Sequence, residues 1–203
     1  LSVVRAARVS YDAEWRAGDD TEGDRKLINY LWKHKHSTPF EAVTFTFEVK
    51  APIFVLRQWH RHRTWSYNEL SARYKELPEE YYVPDVEQIT TQSTNNKQMR
   101  TDEPNEHCLE IGEYIDEQNK QAFRLYHKLL DLECPRELAR TVLPLATYSH
   151  MFATVNLLNL MKFCTLRTHD HAQYEIRVYA KAMLELAKTV APICLAAWER
   201  ESP

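Results

Sequence analysis

The sequence predicts an α+β fold, a helix-rich single domain around a small, mainly antiparallel β-sheet. Three observations carry this expectation. Residues 43–49 alternate, with Val43, Phe45, Phe47 and Val49 on one face and Thr44, Thr46 and Glu48 on the other, the period of a half-buried strand. A second β-favouring stretch, Tyr148 to Val155, is expected to pair with the first. Most of the remaining chain has helical periodicity.

Taken in order, Val3 to Val9 reads as a short helix and residues 16–24 as a polar loop. Leu27, Ile28, Leu31 and Trp32 define one face of a helix from Asp24 to about His36. Thr38-Pro39-Phe40-Glu41 predicts a capping box for one short turn, with Thr38 as N-cap. Pro52 ends the strand and starts a helix from Ile53 to about His62, on which Arg57, Gln58 and Arg61 share a side. Ser66 to Glu69 reads as the cap of another short helix. Residues 84–105 form a polar loop or insertion. Glu106 to Leu132 is a long amphipathic helix carrying Leu109, Tyr114, Phe123, Tyr126 and Leu130, and Cys134-Pro135 opens a short one through Arg140. Leu157 to Leu166 is helical. Asp170 is expected to cap the final long helix, whose stripe is Ile176, Tyr179, Met183, Ala187 and Val190 and which Pro192 kinks or ends.

Composition narrows the function classes. With 203 residues, 44% of them hydrophobic, the chain can bury a real core and is not disordered. A net charge of −3 argues against a protein held to nucleic acid mainly by phosphate attraction, so nucleic acid is not expected as a partner. Cys108, Cys134, Cys164 and Cys194 show no paired spacing, which points to reduced thiols and a cytoplasmic setting. No run suits a membrane span and no signal peptide is visible, so no membrane partner is expected. The sequence begins at Leu1 rather than Met, so a longer natural N-terminus is expected. With only three glycines there is no Walker sequence and no Rossmann fingerprint; phosphates, if bound, must meet arginines and hydroxyls.

Arg57 to Tyr74, RQWHRHRTWSYNELSARY, fits no such structural period. A solvated helix face, with Glu69 and Arg73 as an i, i+4 ion pair, is the simpler reading. The interleaved Trp59, Trp65, Tyr67, Asn68 and Ser71 make it less adequate. A guanidinium binds phosphate through two parallel hydrogen bonds and can lie flat against a base or flavin, so the stretch suits an anionic, planar ligand. The histidine pairs His34/His36, His60/His62 and His169/His171 come with no HExxH and no Cys/His cluster, so no metal is expected. No cysteine has a basic neighbourhood that would activate it, and structural thiols are expected.

Residues 61–71, RHRTWSYNELS, match in full RHRxxSxNExS, the signature of the flavin-dependent thymidylate synthases, which the chain thus resembles. The likeness extends through RAARVS at 5–10, TPFE at 38–41, KAPIFVLRQW at 50–59, PRELARTVLPL at 135–145, TVN at 154–156 and LRTHDHAQYE at 166–175. It implies a homotetramer whose active sites are shared between subunits. Such an enzyme, a transferase of nucleotide biosynthesis, binds FAD and dUMP and makes dTMP with methylene-tetrahydrofolate as carbon donor and NADPH as reductant.

Carried over position by position, Thr38, Arg61, His62, Arg63, Glu69 and Asn156 contact FAD, with His36 and His171 beside the flavin. Lys162 stands where the family carries a side chain such as Asn or His near the adenosine end, and a cation there also suits FAD. Gln58, Arg61, Glu69, Leu70, Ser71, Ala72, Arg73, Arg140 and Arg167 hold dUMP. Arg167 is the expected catalytic residue, promoting ionisation of the uracil ring. Methylation at carbon 5 needs electron density pushed onto that carbon, and a fixed guanidinium at the pyrimidine edge can supply the polarisation that no activated cysteine supplies here. The alternative is a non-catalytic RNA- or nucleotide-binding module using the arginines and aromatics as a stacking platform.

Overall fold

The alternating stretch becomes strand β1 (Thr44–Pro52), with Phe47, Val49 and Ala51 buried at every second position. The structure, a computed structural model, describes residues 1–201; residues 202 and 203, the end of the expected domain, lie outside the described residues. Helices α1 (Ser2–Arg8) and α2 (Thr21–Lys33) precede β1, and α3 (Ile53–Trp59) and β2 (Ser66–Glu69) follow it. A hairpin, β3 (Thr90–Gln92) and β4 (Arg100–Pro104), leads to α4 (Cys108–Asp131) and the short α5 (Arg136–Ala139). Then come β5 (Tyr148–Asn156), α6 (Leu157–Arg167), α7 (Tyr174–Val190) and α8 (Pro192–Glu201).

The main sheet has the order β1-β5-β2. The Leu157 N–H donates to the Val43 carbonyl at 2.8 Å, the Thr46 and Thr154 hydroxyls bond at 2.9 Å, and the Ile53 N–H reaches the Thr147 carbonyl at 3.0 Å. Residues facing one another in this descending order make the β1–β5 pair antiparallel, as expected. The fold is α+β and helix-rich. Among the described residues no helix is long and apolar enough to cross a membrane.

The chain divides into two units. The first comprises residues 1–47, 62–67 and 152–203; the second comprises 48–61 and 68–151. In the first, α2 packs on α8, and α6 packs on α7 and on the 3-10 turn Thr38–Ala42. Its core includes Val4, Phe40, Leu160, Met161, Phe163, Ile176 and Leu195, all fully buried. In the second, Phe123, Tyr126 and Ala139 form a buried cluster under Tyr81, Leu129, Leu130 and Val142. The Tyr126 hydroxyl accepts the Leu77 N–H at 3.2 Å there, so its polar end is satisfied within an apolar setting.

Several local expectations are corrected. Helix α2 starts at Thr21 because Asp20 caps it, accepting the Gly23 N–H at 2.9 Å. Thr38 lies inside its turn, Ser37 precedes it, and no side chain caps it, so the capping box does not form. Helix α3 stops at Trp59; Arg61 sits in the turn beyond, so it shares no helix face with Arg57 and Gln58. Ser66–Glu69 is a strand, since pairing with β5 satisfies backbone groups that one isolated helical turn would leave open. The polar segment 84–105 holds the β3–β4 hairpin, where the Thr91 and Thr101 hydroxyls bond at 2.6 Å. Asp170 does not cap α7; Gln173 precedes that helix, and the Asp170 carboxylate meets Arg177 Nη1 at 3.1 Å. Leu109, Tyr114 and Val190 are exposed, although their spacing matches buried stripes.

Candidate active site

The residues expected to bind FAD fall mostly in the first unit, and those expected to bind dUMP mostly in the second. Arg61 and Glu69 are the exceptions in the first set, and Arg167 in the second.

In the second unit, Gln58 rides half-buried on α3, which the Pro52 N-cap starts directly after β1. Strand β2 delivers Glu69, whose Oε1 accepts the hydroxyl proton of buried Ser149 on β5 at 2.6 Å. Such a bond to a charged group fixes the carboxylate more firmly than a neutral pair would. The Leu70 N–H then donates to the His150 carbonyl at 2.8 Å, and Ala72 is buried. Ser71 closes a turn: its carbonyl accepts from the Tyr74 N–H at 3.0 Å and its hydroxyl oxygen from the Arg73 N–H at 3.3 Å. Arg73 Nη2 lies 3.3 Å from Glu137 Oε2, both half-exposed. The expected Glu69–Arg73 pair is thus replaced by two others. An exposed pair of this kind contributes at most about 1 kcal/mol, so an incoming phosphate can displace Glu137. Arg61 and Arg140 are exposed.

In the first unit, His36 follows Lys35, whose φ of 60° turns the chain out of α2; its ring stacks on Tyr30 with centroids 6.1 Å apart. Thr38, Arg63, Lys162 and His171 are exposed. Asn156 caps α6: its Oδ1 accepts the Asn159 N–H at 2.9 Å, so what it can offer a ligand is its Nδ2 donor pair. Cations, a hydroxyl and an amide donor are each groups that can meet the phosphates and sugar hydroxyls of a dinucleotide where no glycine cradle exists.

His62 and Arg167, distant in sequence, meet directly. Arg167 Nε donates to His62 Nε2 at 3.0 Å, and the His62 ring stands edge-on to buried Phe163 at 4.7 Å. Burial, helped by the Arg167 cation, pulls His62 down from its ordinary value to about 4. Burial also lowers Arg167, but a guanidinium stays charged. Tyr67 donates its hydroxyl to the His62 carbonyl at 3.0 Å, and Trp65 stacks parallel to Tyr67 and tilts against Phe163.

Ser149, Phe163, Tyr30 and Glu137 shape these clusters and were not singled out by sequence reasoning. A signal existed for Ser149, the polar member of the inward series Ser149, Met151, Ala153 and Val155 along β5. Nothing distinguishes Phe163 from its apolar neighbours on α6.

The cysteines stay apart from this chemistry. Burial pushes the Cys164 thiol up to about 12 and Cys194 to about 11, so both remain protonated. Half-buried Cys134 lies at the opening of α5, its Sγ 3.8 Å from the Pro135 carbonyl. Cys134→Ser should therefore change turnover by less than about twofold in a steady-state assay; a large loss would assign it a nucleophilic role.

The family model described as thymidylate synthase complementing protein matches residues 1–193. A flavin-dependent thymidylate synthase of Treponema denticola is 46% identical over 203 residues, covering 98% of this chain and 74% of its own. That of Pseudothermotoga lettingae is 41% identical, covering 100% and 84%. Among solved structures, the UMP/dUMP methylase PolB from Streptomyces cacaoi, bound with 5-Br dUMP, superposes with a TM-score of 0.88 at 38% identity, covering 100% of this chain and 92% of its own. The RHRxxSxNExS segment, the match across residues 1–193 and these relatives together show that the chain belongs to the flavin-dependent thymidylate synthase family.

Proposed function

We propose that this chain binds FAD and catalyses the reductive methylation of dUMP to dTMP, taking its carbon from methylene-tetrahydrofolate and its electrons from NADPH. The observation that carries the reading is Arg167, a half-buried cation fixed through its Nε in a chain whose buried thiols are held protonated. The methylase bound with a dUMP analogue supports the substrate. Nothing in these relatives favours the RNA-binding alternative.

In this reading Gln58, Arg61, Arg73 and Arg140 bind dUMP, with the Glu69–Ala72 segment lining it. Ser71, whose oxygen already accepts from Arg73, donates its hydroxyl to the phosphate. Arg63, Lys162, Thr38 and the Asn156 amide hold the FAD phosphates and sugars, Arg61 and Glu69 are further FAD contacts, and His36, His62 and His171 lie toward the ring. FAD, once reduced, supplies the hydride. Arg167 faces the pyrimidine edge and stabilises the negative charge that develops as N3 loses its proton, which raises electron density at carbon 5.

The whole chain acts as one functional domain, which a family model running through residues 1–193 supports. It works in the cytoplasm as a homotetramer with shared sites.

Purified protein should be yellow and lose its visible flavin absorbance on anaerobic addition of NADPH. It should then form dTMP from dUMP only when methylene-tetrahydrofolate is present. Colourless protein that takes up no added FAD would overturn the reading.

A further inference from the structure

We propose that His62 is a positioning residue for Arg167: its unprotonated Nε2 accepts the Arg167 Nε–H and so sets the plane in which the guanidinium meets the pyrimidine. This rests on the role given to Arg167 above and adds a second residue to it. A nitrogen that accepts a hydrogen bond carries a lone pair, so the ring must be neutral with its proton on Nδ1. The 3.0 Å contact is therefore compatible with only one tautomer. Burial and the neighbouring guanidinium both disfavour a second proton, so the acceptor is maintained by the same cation it holds.

The ring is itself braced. Phe163, fully buried, meets it edge-on at 4.7 Å, and the Tyr67 hydroxyl grips the His62 carbonyl at 3.0 Å. Arginine is long and flexible, and a guanidinium aimed before the substrate arrives loses less freedom at the transition state than one that must be ordered there. His62 thus supplies orientation, while Arg167 supplies charge. The RHR triplet then joins cofactor binding to the polarisation of the pyrimidine through its middle residue.

Two substitutions separate acceptor from ring. The amide oxygen of His62→Gln reaches the place of Nε2 but lacks the ring, whereas His62→Phe keeps an aromatic against Phe163 and has no acceptor. On FAD-loaded protein of measured flavin content, His62→Gln should retain a kcat roughly tenfold or more above that of His62→Phe, with the difference in kcat rather than in KM for dUMP. The reverse order, or equal losses, overturns the inference. Arg167→Ala run beside them separates the two ideas. If it turns over normally, the role of Arg167 fails; if it is inactive while His62→Phe matches His62→Gln, only the positioning role fails. A readout independent of activity is the ring 15N spectrum of histidine-labelled protein at about pH 5.5, where an ordinary histidine is about nine-tenths protonated. A neutral His62 with Nε2 unprotonated is expected; a doubly protonated ring overturns the inference.

Discussion

Arg167→Ala is expected to leave FAD bound and to remove dTMP formation, with kcat falling by on the order of 10²–10³-fold or more, the loss typical of deleting one preorganised donor at a developing negative charge. Flavin should stay because the cations and donors expected at its phosphates, Arg63, Lys162, Thr38 and Asn156, are other side chains. Arg167→Lys should rescue little. An ammonium keeps the charge but lacks the planar fork and the Nε–H that His62 accepts. Flavin content by absorbance and turnover by product chromatography check both parts, and near-normal turnover by the alanine variant would refute the role.

The second large effect is on stability. Phe163 is fully buried on α6 and touches both the His62 ring and Trp65, at 4.7 and 5.1 Å between centroids. Phe163→Ala removes most of a buried ring and leaves a cavity, which should lower stability by about 3–5 kcal/mol. For a chain of this size that corresponds to a fall in Tm of roughly 6–20 °C, measurable by calorimetry. A fall of less than about 2 °C would mean that the core closes over the gap. His62 also loses the wall that sets its ring angle, so any folded variant should fall in turnover as well, with flavin still present.

Much of this molecule was legible in the sequence where one local signal dominated. The alternation in residues 43–49, the Pro52 break and the helical stripe around Phe123 and Tyr126 each gave an element of the right type, since burial on one face fixes the period. Capping was less legible. Thr38 and Asp170 have the right chemistry for N-caps, but a cap depends on where the backbone leaves the helix, and that is set by packing. Ser66–Glu69 was misread for a related reason: four residues carry no period, and what makes them a strand is β5, a partner far away in sequence. Exposed Leu109, Tyr114 and Val190 show the converse, apolar positions with helical spacing that the described residues leave largely uncovered. For the proposed site, the signature named candidate residues but not their partners. That Glu69 is pinned by Ser149, Arg73 by Glu137 and Arg167 by His62 follows from tertiary geometry alone.

Asn156 stands at the first turn of α6 with its carbonyl oxygen committed to the helix and only its amide hydrogens left to offer. That division limits what sequence drift can do at this position. Aspartate would start the helix as well, yet would confront the phosphates proposed to lie here with a negative charge. Serine would also start it, while surrendering one of the two donors. Alanine would forfeit both duties at once. A lineage relaxing the cofactor contact proposed for Asn156 would therefore pass through serine or aspartate before any apolar residue, because those routes spare the folding of the helix that carries Phe163 and Arg167.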